Sequence, residues 1–344
     1  MITKKQLELC SDILNVIYSE GPISRVDISK KTGITPATVS FLTGMLIEKN
    51  FLYELGESYD NKIKAGRRKI LLDISKQRIF FIGAEISETF YSFVLTDNTG
   101  EIISHKVYTI DESKKLNSSK NFIDNLLSFY EQSVKPVSAI GIALPGHYNN
   151  SNLILTNNSK WETFELQKIV DAVEKPVFFE NNVHCMALAE HFFYNKNDED
   201  FIFFHISKGI YCSYFYKGDI FSKDNFLIGE LGHTVVNMDG PMCECGKKGC
   251  LQTYTSENWL LKYSKSIYNS ASSTLLHQLV SNENDISLKT ITDAYNLGDP
   301  AILKLIDRAV RYISLTLNNL NMIFDYSKLF IHGKIFENDG ISNS

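Results

Sequence analysis

The apolar positions near the start of the chain predict an amphipathic helix over residues 3–19. Four of them recur at spacings of three and four: Leu7, Cys10, Leu14 and Ile17. Because an α-helix turns once in about 3.6 residues, this spacing places them on one face. Thr3 and Gln6 stand where a capping box would start the helix, and Gly21-Pro22 would end it.

Two shorter helices are expected next, joined by a three-residue turn. Ser24 and Asp27 predict a second capping box, at the start of a short helix that Gly33 ends. Thr35 would cap the third helix, with Pro36 at its first position, where a missing backbone N–H costs nothing. The inner face of this helix would carry Val39, Leu42 and Leu46.

Two strand-like segments follow the third helix, and a basic segment separates them. The strands are predicted at residues 51–55 and 70–74. Five basic residues fall between them with no acid among them: Lys62, Lys64, Arg67, Arg68 and Lys69. This order of elements predicts a winged helix-turn-helix domain over residues 1–75, with the basic segment at the tip of the wing.

The residue types at its surface favour DNA as the partner of this domain. The outer face of the third helix carries small polar side chains that fit a major groove: Thr35, Thr38 and Ser40. The wing offers cations that can reach phosphates: Lys64, Arg67, Arg68 and Lys69. A helical packing domain, or a winged helix that binds protein, is the alternative.

Beyond residue 75, apolar strand-like runs alternate with helical patterns. The predicted strands are residues 78–86, 138–144, 176–180, 201–206 and 327–332. The predicted helices are residues 118–132, 183–194, 257–268 and 300–324. This alternation is typical of an α/β domain in which helices flank mixed sheets.

Composition excludes some classes of protein and leaves DNA binding open. With 344 residues, 44% apolar and 22% charged, the chain has the composition of a folded protein of two or three domains. It has no apolar run of membrane-spanning length and no signal-like N-terminus, so a cytoplasmic protein is expected. The net charge of −5 divides into +2 for residues 1–75 and −7 for the remainder, so the acidic total does not argue against DNA binding by the first domain.

Three of the six cysteines fall within eight residues, which predicts a metal site. His233, Cys243, Cys245 and Cys250 suit a tetrahedral zinc ion, and Gly246 and Gly249 allow the tight turns between the thiols. Four protein ligands leave no open position for water, so the zinc would be structural. Cys10, Cys185 and Cys212 are isolated and are expected to be core thiols.

The segments around this cluster resemble the ROK family (repressors, open reading frames and sugar kinases). The sequences GELGH at 229–233 and GPMCECGKKGCLQ at 240–252 resemble its signature. FIGAEIS at 81–87, TDNTGE at 96–101, IGIALPG at 140–146 and ENNVHCMALAE at 180–190 are similar to further family segments in the same order. The resemblance implies an actin-like, sugar-kinase-like domain over residues 76–344, with lobes at about 76–190 and 191–344.

The resemblance also implies a sugar-binding site. Departures from the family motifs favour a repressor over a sugar kinase. Sugar contacts carried over from related kinases fall on Asn158, Asn181, Asn182, Glu230, His233 and Gln252. Capping of a helix is the alternative role of the two adjacent asparagines. The phosphate loop reads EISET at 85–89, a second Gly-rich turn retains only Gly209, and the catalytic Asp position is Asn182, so kinase activity is not expected.

The expected function is therefore a sugar-responsive transcriptional repressor. It would bind operator DNA as a homodimer or dimer of dimers and take a sugar or sugar phosphate as effector. The chain stops soon after a segment that further family elements usually follow, so a truncated or degenerate member that binds DNA constitutively is one alternative. An active ATP-dependent sugar kinase is the other.

Overall fold

The structure is a computed structural model that describes residues 3–57, 69–110, 119–148, 153–156, 161, 163–194, 199–223, 225 and 227–342. The chain divides into two compact units, Met1–Asp198 and Glu199–Ser344. No helix among the described residues is long and apolar enough to cross a lipid bilayer.

The first unit begins with the predicted three-helix arrangement. The helices are α1 (Lys4–Glu20), α2 (Arg25–Thr32) and α3 (Pro36–Glu48). The strands β2 (Leu52–Glu57) and β3 (Ile70–Ile74) pair as the predicted hairpin, and a strand that the sequence did not predict, β1 (Ile23–Ser24), pairs with β3. Thr3 and Gln6 form the expected capping box, and Thr35 caps α3.

Two local predictions in these helices need correction. Leu7 is 56% exposed, and Ile13 takes its place in the core beside Cys10 and Ile17. The α1 stripe is therefore centred on the face that α2 and α3 cover. Ser24 caps α2 by accepting from the backbone N–H of Asp27, but the Asp27 carboxylate accepts from the Ser24 hydroxyl and from Lys69 rather than closing a capping box.

The remainder of the first unit is built on a five-stranded sheet. Its strands are β4 (Phe80–Ile86), β5 (Phe90–Asp97), β6 (Ile102–Thr109), β7 (Val137–Leu144) and β10 (Val177–Asn181), in the order β10-β7-β4-β5-β6. β4, β7 and β10 run parallel. The short strands β8 (His147–Tyr148) and β9 (Ile154–Leu155) form a separate pair.

Helices cover this sheet and close its core. They are α4 (Ser119–Glu131), α5 (Leu166–Ala172) and α6 (Asn182–Ala189), and α6 continues directly into a π-helix (Glu190–Tyr194). The largest buried side chains are aromatic and include Phe93, Phe122 and Trp161. The predicted helix at 183–194 is therefore present, but its last turn is wider than an α-helical turn.

The second unit contains a four-stranded sheet with helices after it. The strands are β11 (Phe201–Ile206), β12 (Ile210–Tyr216), β13 (Asp219–Ile220) and β14 (Lys328–His332), in the order β13-β12-β11-β14. The helices are α7 (Gln252–Thr255), α8 (Glu257–Ser270), α9 (Leu276–Leu279), α10 (Leu288–Asn296), α11 (Pro300–Asn321) and α12 (Asp339–Ser342). β11 and β14 are parallel, which matches the two strand runs predicted there.

Candidate metal centre and ligand sites

The loop that joins β13 to α7 brings the four predicted metal ligands together. A 3-10 turn at Leu231–His233 presents the histidine, and the bridges Val235–Cys250 and Met242–Lys248 fold the cysteine segment back towards it. Gly249 has a φ of +68°, and a Cβ there would lie 1.5 Å from the carbonyl oxygen of Asn237. The glycine therefore allows the backbone to pass close enough for Cys250 to face the other ligands.

The distances within this cluster fit a tetrahedral ion. The ligand atoms of His233, Cys243, Cys245 and Cys250 all lie within 4.8 Å of one another. The Sγ atoms of Cys245 and Cys250 are 3.6 Å apart, and His233 Nδ1 is 3.6 Å from the Sγ of Cys243. Ligands at zinc bond lengths in a tetrahedron are about 3.5–3.8 Å apart. Two of the pairs already have this spacing, so the cluster could hold a metal ion.

Residues predicted to contact sugar surround the cluster within the same unit. His233 Nε2 lies 3.9 Å from an Oε2 atom of Glu230, and burial raises the pKa of Glu230 to about 7. Gln252 is buried, and its Nε2 donates to the Sγ of Cys243 at 3.5 Å and to Glu244 at 2.8 Å. The amide of Gln252 therefore holds Cys243, one of the predicted metal ligands, a role that the sequence did not suggest.

The two adjacent asparagines in the first unit have different environments. Asn181 is buried; its Oδ1 accepts from the backbone N–H groups of Val183 and His184, and its Nδ2 donates to the carbonyl of Gly146. This is the capping role that the sequence left open. Asn182, the first residue of α6, is only half-buried and therefore offers the more accessible amide.

Titratable residues that sequence reasoning did not single out lie near the two asparagines, where β10 meets α6. Glu85 and Glu180 stand opposite Ala143 on either side of it in the sheet, so both side chains point from the same face. Glu180 accepts from the backbone N–H of Asn181 and lies 2.9 Å from His184 Nδ1. Burial, with the charge of His184, lowers the pKa of His147 to about 4. A histidine directly after the Pro-Gly turn was the signal that could have identified His147.

The predicted DNA-contacting residues divide into described and undescribed ones. Thr35 and Ser40 are exposed on α3, Thr38 is half-buried, and the hydroxyls of Thr35 and Thr38 are 2.9 Å apart. Phe41 is 61% exposed on the same helix, and the sequence analysis did not single it out. Lys69 pairs with Asp27 at 2.9 Å. Four predicted site residues lie outside the described residues: Lys64, Arg67, Arg68 and Asn158.

The isolated cysteines are mostly where the sequence predicted them. Cys10 and Cys212 are buried in hydrophobic cores, and burial raises the pKa of the Cys212 thiol to about 12. Cys185 is half-buried on α6. None of the three is among the possible metal-ligating groups that the described residues form.

Comparison with known families matches nearly the whole chain. Residues 81–344 match the ROK family, and residues 11–52 match a winged helix-turn-helix DNA-binding family. The chain is 28% identical over 331 residues to the xylose repressor of Bacillus spizizenii, covering 94% of this chain and 82% of that protein. It is 27% identical over 356 residues to the DNA-binding transcriptional dual regulator NagC of Escherichia coli, covering 98% and 82%.

Solved structures share the fold. A ROK family transcriptional regulator that is a homologue of the E. coli MLC protein has a TM-score of 0.78 at 24% identity, covering 98% of this chain and 85% of its own. A ROK family glucokinase from Streptomyces griseus, solved with glucose and AMPPNP, has a TM-score of 0.65 at 23% identity, covering 77% and 88%. The predicted fold, a winged helix-turn-helix followed by a sugar-kinase-like domain, is confirmed.

Proposed function

The chain belongs to the ROK family, and we propose that it is a DNA-binding transcriptional repressor that responds to a sugar. The observation that carries this proposal is one chain in which a winged helix-turn-helix precedes the ROK domain. The relatives that share both parts over most of their length are named xylose repressor and N-acetylglucosamine repressor. A protein with this target would act in the cytoplasm, where bacterial DNA lies.

We propose separate roles for the two parts of the chain. Residues 1–75 would bind operator DNA, and residues 76–344 would sense the sugar, with lobes at about 76–190 and 191–344. A homodimer or dimer of dimers would place two α3 helices one helical turn of DNA apart, which suits a palindromic operator. Thr35, Thr38 and Ser40 would face the bases, and the wing residues, with Lys69, would face the phosphates.

The metal would be zinc, and its role structural. His233, Cys243, Cys245 and Cys250 would occupy all four positions, which leaves none for a reactive water. Because Nδ1 of His233 faces the sulfurs, the proton of the imidazole would sit on Nε2, on the side of Glu230. Glu230 and this N–H would then offer a sugar hydroxyl an acceptor and a donor.

We do not expect phosphoryl transfer from this site. The segment that matches the family's phosphate loop is a tight turn between β4 and β5, where the N–H of Ser87 donates to the carbonyl of Phe90 and Glu88 places a carboxylate. An amide at Asn182 has no basic site that could take a proton from a sugar hydroxyl. Binding without chemistry is what a sensor needs.

The test of this proposal uses DNA selected by the protein itself. Duplexes would be selected from a random 30-base-pair library with the full-length protein, and affinity would be measured by fluorescence anisotropy with and without D-xylose, D-glucose, N-acetylglucosamine and N-acetylglucosamine 6-phosphate. We expect a selected duplex whose affinity changes at least about fivefold with one of these sugars. A protein that selects no duplex, or binds it equally under every condition, would contradict the proposal.

A matched pair of variants locates the DNA-binding surface. Ser40→Asp places a negative charge on the exposed face of α3, where it would meet phosphates and base edges, so affinity should fall at least about tenfold. Ser266→Asp makes the same change at an exposed position of α8 in the second unit and should leave affinity within about twofold. Equal effects of the two substitutions would remove α3 from the DNA interface.

A further inference from the structure

Within the first unit, one continuous helical segment runs from the Asn181–Asn182 turn, where a sugar is proposed to bind, to the DNA-binding helices. α6 starts at Asn182 and continues without a break into the π-helix that ends at Tyr194. Thirteen residues at 1.5 Å each span about 20 Å. π-helical turns are rare, and those inside α-helices are frequently found at functional sites. The sequence did not predict the π-helix, and nothing in the proposed sugar or metal sites requires it.

The first helical turn of this segment is held in place by hydrogen bonds of Asn181. Asn181 caps it through two backbone N–H groups and anchors it to the carbonyl of Gly146 at 3.2 Å. Asn182 is the half-buried residue proposed to contact the sugar. A ligand that bonds to Asn182 would therefore act on the first turn of this segment, which Asn181 ties to Gly146.

The last turn of the segment packs against the DNA-binding domain. The ring of Phe192 meets the ring of Tyr18 in α1 edge to face, with centroids 6.1 Å apart and planes at 70°. The hydroxyl of Tyr18 donates to the carbonyl oxygen of Asn98 at 2.5 Å. Phe193 lies so close to the β5–β6 turn that a Cβ on Gly100 would be 2.5 Å from its ring. The π-helix is thus wedged between α1 and that turn.

The β5–β6 turn also forms hydrogen bonds with residues 75–79, which connect the DNA-binding domain to the five-stranded sheet. Oδ1 of Asn98 accepts from the backbone N–H groups of Arg78 and Ile79, and its Nδ2 donates to the carbonyl of Ser75 at 2.7 Å. Asp97 accepts from the backbone N–H of Gln77 at 2.8 Å. A shift of the π-helix would therefore reach α1 directly through Tyr18 and, through the turn, the segment that joins β3 to β4.

We propose that the helical segment 182–194 couples sugar binding at its first turn to the DNA-binding domain at its last, with Phe192 and Tyr18 as the positioning residues that transmit the change. This inference rests on the proposed function, because it needs both a sugar and a DNA ligand. The π-turn supplies a two-state element: recovery of α-helical geometry would rotate Phe192 relative to α1 while leaving Asn181 and its cap in place.

The experiment compares coupling, not binding alone. For each variant, affinity for the selected duplex is measured with and without a saturating amount of the sugar that acts on the wild type, and the sugar affinity is measured by calorimetry on the DNA-free protein. Phe192→Leu keeps an apolar side chain but removes the edge-to-face contact. The control, Tyr194→Leu, alters an aromatic residue of the same π-helix that is 77% exposed.

We expect Phe192→Leu to bind sugar within about threefold of the wild type and to lose most of the sugar's effect on DNA affinity, from at least about fivefold to less than twofold. Tyr194→Leu should keep the effect. Tyr18→Phe removes only the hydrogen bond to Asn98 and should give an intermediate loss, so it carries the test if Phe192→Leu does not fold.

The outcomes separate this inference from the proposed function. If the wild type responds to sugar and both Phe192→Leu and Tyr18→Phe respond equally well, the coupling route is wrong and the repressor function stands. If no sugar alters DNA binding by the wild type, the proposed function fails and the route fails with it. A variant that loses sugar binding itself would place Phe192 in the ligand site and overturn the positioning role.

Discussion

His233 lies where the proposed metal site and the proposed sugar site would share one residue. Its Nδ1 lies 3.6 Å from the Sγ of Cys243, and its Nε2 lies 3.9 Å from Glu230. A metal bound at Nδ1 removes the freedom of the imidazole to change tautomer, so Nε2 becomes a fixed donor. A metal in this cluster would therefore fix the donor of the proposed sugar site without touching the sugar.

The zinc proposal predicts a clear difference between two cysteine variants. Cys245→Ser removes one of four metal ligands, so the purified protein should lose its stoichiometric zinc and its thermal midpoint should fall. Cys185→Ser alters a half-buried thiol outside the cluster and should keep both. Plasma emission spectrometry and thermal unfolding measure the two quantities. Zinc retained at one ion per chain in Cys245→Ser, or absent from the wild type, would contradict the proposal.

The asparagine pair marks the limit of sequence reasoning for single residues. The sequence predicts that Asn181 and Asn182 stand where a strand meets a helix, and it offers both a sugar-contacting and a capping role. Only the backbone direction at that junction decides which amide turns inwards. Asn181 turns in and caps α6, whereas Asn182 stays half-buried at the surface. The supporting role of Gln252 depends equally on a contact, with Cys243, that spacing does not reveal.

Helix starts were the most predictable elements of this chain, because the capping signal is local. Thr3, Ser24 and Thr35 each cap the helix that the sequence predicts for them. Partners distant in sequence were not predictable. Strand β1 exists only because β3 lies beside it, and Ile13 replaces Leu7 in the core because α2 and α3 cover that side of α1.

Removal of one buried cap, Asp299, should cause a large loss of stability, because its side chain bonds to residues at the start of two helices. Asp299 is fully buried at the start of α11 and accepts from the N–H groups of Ala301 and Ile302 and from Thr274 and Leu275 before α9. Burial alone would raise the pKa of Asp299, but these hydrogen bonds hold that pKa below its ordinary value. Asp299→Ala leaves buried donors unsatisfied and should lower the free energy of unfolding by about 2–4 kcal/mol.

A second aspartate of the same helix provides the control for that measurement. Asp307 is exposed and pairs with Arg311 one turn later, so Asp307→Ala should cost less than about 0.5 kcal/mol. Urea unfolding of both variants gives the comparison. Similar midpoints for Asp299→Ala and the wild type would show that the buried cap contributes little.

For the whole molecule, charge and topology are predictable to different degrees. The +2 and −7 division of the net charge follows from composition, and it agrees with a DNA-binding domain attached to an acidic sensor. The strand order β10-β7-β4-β5-β6 does not follow from the apolar pattern, which predicts strands but not their neighbours. The family resemblance implied a two-lobed, sugar-kinase-like domain but no strand order, which only the structure gives.

The absence of kinase chemistry that we propose would depend on three separate positions rather than on one residue. Asn182→Asp restores a carboxylate at the position of the family's proton acceptor. Two further changes stay in place, since Ser87 and Glu88 still occupy the β4–β5 turn and only Gly209 remains in the β11–β12 turn. Independent requirements multiply, so restoring one of three should not restore the rate. A coupled assay for ADP should detect no sugar-dependent turnover of ATP in the wild type or in Asn182→Asp, while the added charge changes sugar affinity. Turnover in Asn182→Asp would show that the two turns still accept a nucleotide and that a single amide keeps this chain from acting as a kinase.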